Sequence, residues 1–359
     1  MRDPMLEKQQ EDTIFSGNIF IFNTFDVGED INLEAIKQSQ ILRTLPITLP
    51  KYFKNYHLPL AIELPQPHGS KCVSSRLHHF GVIALTYQIP FSNTLENVRK
   101  KLNTIDTAFR KQSASDAASI YRKIKDYIKQ AHFFHLRSSY LVIQVDPMPE
   151  TINVVDLKNK YGGLIASTLR FETESLSEFQ KSDMLESATG YYRGDLIIID
   201  AEAAFVYDAE YYEILDLFEF ANIHKLELNY FDRILDQQLN FVYEKRAITP
   251  PLSAYLPFIT IGDPIGDLGR LKVDISVIAE RLEGSIKFAG EAYFTEIYTL
   301  LSDKLDLRGW KDSIERKLSI IKEIREVYYN KIDVIREDLL TVLIIVLILI
   351  EILVAIWQK

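Results

Sequence analysis

FGVIALTYQIPFSNTLENVRKKLNTIDTAFRKQSASDAASIYRKIKDYIKQAHFFHLRSSYLVIQV, residues 80–145, decides the fold class. Two β-rich runs, Phe80 to Tyr87 and Ser139 to Val145, enclose two stretches with apolar residues at helical spacing. Pro90 is expected to stop the first strand and Pro147 the second. Ser92 or Asn93 can cap a helix over Thr94 to Arg110, because their side-chain oxygens accept an orphan amide hydrogen bond. A second helix is expected over Ala114 to Phe134, with Ile120, Ile124, Tyr127 and Ile128 on one side. Strand, helix and strand in alternation indicate an α+β domain with a small sheet.

Toward the N-terminus, Asn18 to Phe25 reads as a strand and Ile31 to Leu42 as a helix. A loop punctuated by Pro46, Pro50, Pro59, Pro65 and Pro67 follows. Toward the C-terminus, Gly162 to Phe171 is expected as a strand, and Asp195 to Asp200 with Ala203 to Tyr207 as a hairpin. From there the pattern turns helical, over Ala209 to Lys245, Val273 to Glu283 and Glu291 to Leu307. Pro257, Gly262, Pro264, Gly266 and Gly269 lie in a linker between the first two of these, and Arg308-Gly309 is expected to break the chain after the last.

The closing stretch from Trp310 to Trp357 has a heptad seam: Ile314, Leu318, Ile321, Arg325, Tyr328, Ile332, Ile335, Leu339, Val342, Val346, Leu349 and Leu353. Only Arg325 on that seam is polar. Charged residues fill the other positions as far as Glu337, and then Leu339 to Trp357 is almost wholly apolar. Nineteen residues at about 1.5 Å each match a hydrocarbon core of roughly 30 Å. The expectation is a coiled-coil stalk that becomes a transmembrane anchor, with Leu339 at one interface and Trp357 at the other. The seam can be buried by self-association, or within the chain against the helix at 209–245 or at 291–307. Glu351 sits inside the apolar run and off the seam. It reads either as a snorkelling or protonated carboxyl close to the distal interface or as a contact in a larger oligomer or with another membrane protein.

The start of the chain shows no basic region followed by an apolar one, so no signal peptide is expected and the bulk of the chain reads as cytosolic, or matrix-facing in an organelle. A single cysteine, Cys72, fits a reducing compartment. The net charge of −9 argues against nucleic acid as the principal partner. Against that balance, Arg99, Lys100, Lys101, Arg110, Lys111, Arg122, Lys123, Lys125 and Lys129 cluster, with Glu96, Asp106, Asp116 and Asp126 among them. They form either the solvated face of two helices or a patch for RNA, ribosomes or anionic lipid.

Signals for catalysis are poor. His78-His79 and His132 with His135 are the only histidine pairs, and no neighbouring Cys, Asp or Glu completes a metal set. The Gly262 to Gly269 loop lacks both the phosphate-loop and the dinucleotide pattern. The sequence has no GxSxG. No catalytic residue, cofactor, metal or small-molecule substrate is expected.

Ile278 to Glu283, Glu291 to Tyr298, the helix from Arg316 to Asn330, and the run from Leu339 with Glu351 inside it resemble the Required for Meiotic nuclear Division / sporulation-associated family. Upstream, Phe80 to Ile83, His224 to Leu226 and Phe231-Asp232 are similar to that family's strand and mid-domain helix. The resemblance implies a membrane-anchored homo-oligomer without established catalysis, whose mitochondrial relatives support translation at the inner membrane.

The expected organisation is an α+β head at 1–150, a β-rich continuation with a hairpin at 151–208, a helical region at 209–309, a stalk at 310–338 and an anchor at 339–357. The expected function is that of a tail-anchored, homo-oligomeric, non-enzymatic scaffold. The alternative is a tethered module that recruits RNA, ribosomes or anionic lipid through residues 99–129.

Overall fold

The computed structural model describes residues 13–47, 58–65, 71–133, 137–148, 152–244, 273, 275 and 292–357. The helix expected over Val273 to Glu283, the glycine loop at 262–269 and His135 lie outside these, apart from Val273 and Ile275.

A seven-stranded mixed sheet forms the head. Its strands are β1 (Phe15–Asp26), β3 (Leu60–Ala61), β4 (Cys72–His78), β5 (Val82–Asn93), β7 (Arg137–Val145), β8 (Leu196–Ile199) and β9 (Ala203–Tyr207), in the order β3-β4-β5-β1-β7-β9-β8. A two-residue ladder joins β2 (Asp30–Ile31) to β6 (Ile128–Lys129). β1 is central, antiparallel to both β5 and β7, while β7 and β9 run parallel. The sheet therefore continues through Tyr207, with the 196–207 hairpin as its far edge.

The helices in chain order are α1 (Leu33–Ser39), α2 (Leu95–Ile124), α3 (Val154–Asp156), α4 (Gly162–Leu169), α5 (Glu178–Glu186), α6 (Tyr212–Glu244), α7 (Ala292–Lys304) and α8 (Leu307–Trp357). Phe15, Ile19, Ile21 and Phe25 of β1 face one layer, packed with Leu95, Val98, Leu102, Ala117 and Ile120 of α2 and with α4. The alternate residues face α6, where Phe20 meets Tyr211 and the Asn222 amide reaches Thr24. Because both faces are covered, β1 reads as a continuous buried run instead of an alternating one. The head is thus α+β, and the C-terminal half is mostly helical and ends in a long apolar helix.

Four local expectations need correction. Pro90 does not stop β5, which runs on to Asn93. Pairing with β4 ends at Tyr87, and the amide of Gln88 donates outward to Lys71 O, 2.9 Å. By alternation the nitrogen of Pro90 also points to that open side, where no ladder donor is needed.

The two helices expected between Thr94 and Phe134 are one. It is capped by Thr94, whose hydroxyl accepts from the Asn97 amide, and it stays unbroken through Gln112-Ser113-Ala114-Ser115. That stretch contains neither glycine nor proline, and the Ser113 hydroxyl bonds back to Arg110 O. The helix ends at Ile124, and Ile128–Lys129 is strand β6.

Gly162–Leu169 is helical, not extended. Ser167 and Thr168 return their hydroxyls to Gly163 O and Leu164 O, and the segment is buried nearly all round. A short apolar run buried on every side carries no period by which to distinguish helix from strand. Finally, Arg308-Gly309 lies inside α8, and the break falls at Asp306, whose φ of 54° is left-handed.

The chain divides into two compact units, Met1–Tyr230 with Arg281–Arg308, and Phe231–Glu280 with Gly309–Lys359.

Candidate functional site

In the second unit, α8 presents the heptad seam. Ile314, Leu318, Ile321, Tyr328 and Ile332 are buried within the chain, Ile335 and Leu339 are half-buried, and Arg325 is exposed. The Arg325 guanidinium lies 5.7 Å from the Tyr329 ring centroid. Asp232 and Asp236 of α6 register this part of α8: Lys317 Nζ stands 2.6 Å from a carboxylate oxygen of each, and the Ser313 hydroxyl donates to Asp232 at 2.8 Å. The five buried seam residues are thus already covered by their own chain. A stalk built on them has to displace that cover.

From Leu340 to Trp357 the helix changes character. Every residue is exposed, and no residue of the most apolar 18-residue window is buried. Thr341 satisfies its hydroxyl on Glu337 O, 2.8 Å away, where the charged part gives way to the apolar part. Glu351 is exposed in the middle of that run. This helix is long and apolar enough to cross a membrane.

The basic residues at 99–129 do not form one field. Arg99 and Lys100 share Glu96, Arg110 pairs with Asp106, Lys123 with Glu63 and Lys129 with Glu29. Arg122 donates to Ala118 O. Lys101, Lys111 and Lys125 are exposed. Exposed pairs stabilise little, yet each cancels charge that an anionic ligand would otherwise meet.

Sequence reasoning missed a polar seam between the sheet and the first half of α6. Arg76 of β4 stands 2.8 Å from Asp216 and 3.2 Å from Glu219, and the Thr86 hydroxyl donates to the second Glu219 oxygen at 3.1 Å. Burial pushes the Glu219 carboxyl up, against the pull of Arg76. One turn on, the Asn222 amide donates to Phe22 O and Ser138 O. At the end of β1, Asp26 is buried and accepts from the Gly28 amide, while His132 Nε2 lies 2.8 Å from its other oxygen.

His132 stacks on Tyr230, and its pKa is raised chiefly by the bond to Asp26. Burial, reinforced by Asp26, holds the Glu227 carboxyl well above the usual range. The carboxylate that His132 lacked in sequence is therefore supplied from 106 residues away. A signal was present: Asp216, Glu219 and Asn222 recur every three residues on a helix otherwise rich in Phe, Leu and Ile. Among the described residues, no three metal-ligating side chains come together. The seam ties the sheet to α6 through buried ion pairs and hydrogen bonds.

A family profile described as "Uncharacterized protein MJ0711, N-terminal domain" matches residues 16–213, which contain the sheet from Ser16 onward and helices α1 to α5. The chain belongs to that family. A curated relative, the uncharacterized protein MJ0711 of Methanocaldococcus jannaschii, is 24% identical over 198 residues, 54% of this chain and 58% of that protein. The match thus spans under two thirds of the relative's length. No solved structure matches.

The MJ0711 N-terminal domain is the head, and this overturns the expected kinship with the Required for Meiotic nuclear Division family through the C-terminal half. The residues behind that resemblance were amphipathic helices and an apolar run. Any heptad helix leading to a membrane shares those patterns.

Proposed function

We propose that the protein is a single-pass membrane protein that holds its α+β head at the cytosolic face, as a self-associating, non-enzymatic scaffold. The observation that carries the reading is the end of α8, where Leu340 to Trp357 leave their apolar surface uncovered. At about 25 cal/mol per Å², a soluble protein would pay heavily to leave such a surface in water. Lys322, Arg325, Lys331 and Arg336 precede the run within about 20 residues, the bias expected of a cytosolic flank. The family match carries no activity with it.

The test uses the full chain expressed in cells. Fractionation should place it in membranes, resistant to alkaline carbonate, with the head open to protease from the cytosolic side. Replacing Val346 and Leu349 by Arg should release it, since each charge near mid-helix costs about 2.5–3.5 kcal/mol. A soluble full-length protein would defeat the anchor. A strictly monomeric species by light scattering in mild detergent, across concentrations, would defeat self-association.

A further inference from the structure

The sheet edge at β8 carries an aromatic feature that the anchor does not explain. Gly190 to Gly194, between α5 and β8, reads Gly-Tyr-Tyr-Arg-Gly, and all five residues are exposed. Tyr191 is 61% and Tyr192 66% exposed, unusual for rings of that size. Their backbone is nonetheless fixed. Thr189 and Ile197 exchange both backbone hydrogen bonds, at 2.9 and 2.7 Å, and the Tyr192 amide donates to the Asp195 carboxylate at 2.8 Å. The Thr189 hydroxyl ties the base of the turn to Glu296 of α7, also at 2.8 Å. A Cβ on Gly190 would collide with Asp195 O, so the tight return requires glycine.

The rings make one surface. Tyr191 meets Tyr192 edge-on, with centroids 4.7 Å apart at 87°, and Tyr293 of α7 at 4.9 Å and 53°. Asp195, Asp208 and Glu296 all act electrostatically on Tyr293, so carboxylates border the aromatic patch. Arg193 is the single cation within the turn.

We propose that Tyr191, Tyr192 and Tyr293 form a docking surface for a basic segment of a partner protein, one that lays lysine or arginine side chains on the ring faces. Aromatic faces attract cations, the bordering carboxylates add the same sign of preference, and preorganised tyrosines are the side chains on which protein interfaces concentrate their binding energy. The carboxylates equally disfavour nucleic acid and anionic lipid as occupants. The surface lies wholly in the first compact unit and does not depend on membrane insertion.

The experiment titrates full-length protein in nanodiscs with a labelled peptide of alternating arginine and glycine, and with its glutamate counterpart. Expected is saturable binding of the basic peptide, weakened at least tenfold in the double variant Tyr191→Ala, Tyr192→Ala and retained in Tyr191→Phe, Tyr192→Phe, with thermal unfolding unchanged in both. Because the chain is acidic overall, unspecific attraction is the competing explanation. Equal binding by the alanine variant would establish it and overturn the proposal. Binding of the glutamate peptide with equal affinity would overturn it too, as would binding of zwitterionic or anionic vesicles through the same tyrosines in place of the peptide.

Discussion

His132 and Asp26 stand 106 residues apart in the chain and 2.8 Å apart in the fold. The pair ties the segment after β6 to the end of the central strand, and the His132 amide adds a bond to Val27 O at 3.0 Å. Around it lie Glu29, which favours a charged imidazole, and Tyr230, whose ionisation is opposed by burial and then by Asp26, Glu227 and Glu29.

That arrangement makes stability depend on pH. The His132 pKa is raised in the fold, so its contribution is complete below the ordinary value of 6.5 and is lost as pH climbs through the raised one. His132→Ala should therefore cost about 1.5–3 kcal/mol at pH 6 and less at pH 9, as read from denaturant midpoints. An equal loss at both values would refute the ion pair.

Glu227 shifts in the same direction and so obeys the same sign rule: stability present below its ordinary value of 4.5 falls as pH rises through the raised pKa. Glu227→Gln keeps the shape and removes the proton. It should be nearly neutral at pH 5 and stabilising at pH 9, and unfolding curves at the two values would show whether the gap opens.

Arg76 stands between two carboxylates on this seam, and Glu219 is almost fully buried. Arg76→Ala should cost about 3–5 kcal/mol, because it strands a buried charge. Adding Glu219→Leu should recover part of that loss. A double variant as unstable as the sum of the singles would show that the two side chains act independently.

Gly81 turns β4 into β5 at φ 96°, and a Cβ there would overlap the Gly28 carbonyl oxygen. Gly81→Ala should lower stability by about 2–4 kcal/mol. Gly194, with open space around it, should accept alanine with little loss. Thermal melts of the two variants make a direct comparison.

On α8, Ile321 is buried and Arg325 exposed, though both belong to one heptad seam. Ile321→Ala should cost about 2–4 kcal/mol and Arg325→Ala within about 0.5 kcal/mol. A penalty for Ile321→Ala that vanished on dilution would move its burial from the chain to an assembly.

The extent of helix and the apolar run at Leu339 to Trp357 were legible in local period and length, and the strands at 18–25, 80–87 and 139–145 in their runs of β-forming residues. Periods of 3.6, 3.5 and 2 need only neighbouring residues. The same locality explains the errors. Gly162–Leu169 is buried on all sides and shows no period, and Pro90 is tolerated only because β4 stops short of it. Kinship was misread in the same way, since amphipathic helices look alike while the family match lies over the sheet.

By itself the sequence determined an α+β head, a helical second half and a terminal helix fit to cross a membrane, since burial periodicity and apolar length are local properties. Only the tertiary structure decided that β1 is central, that Arg76 meets Glu219, and that His132 finds its carboxylate in Asp26. Those pairings depend on strand order and on the register of α6 across the sheet. Both are set by packing among segments far apart in the chain, and no short window along it contains them.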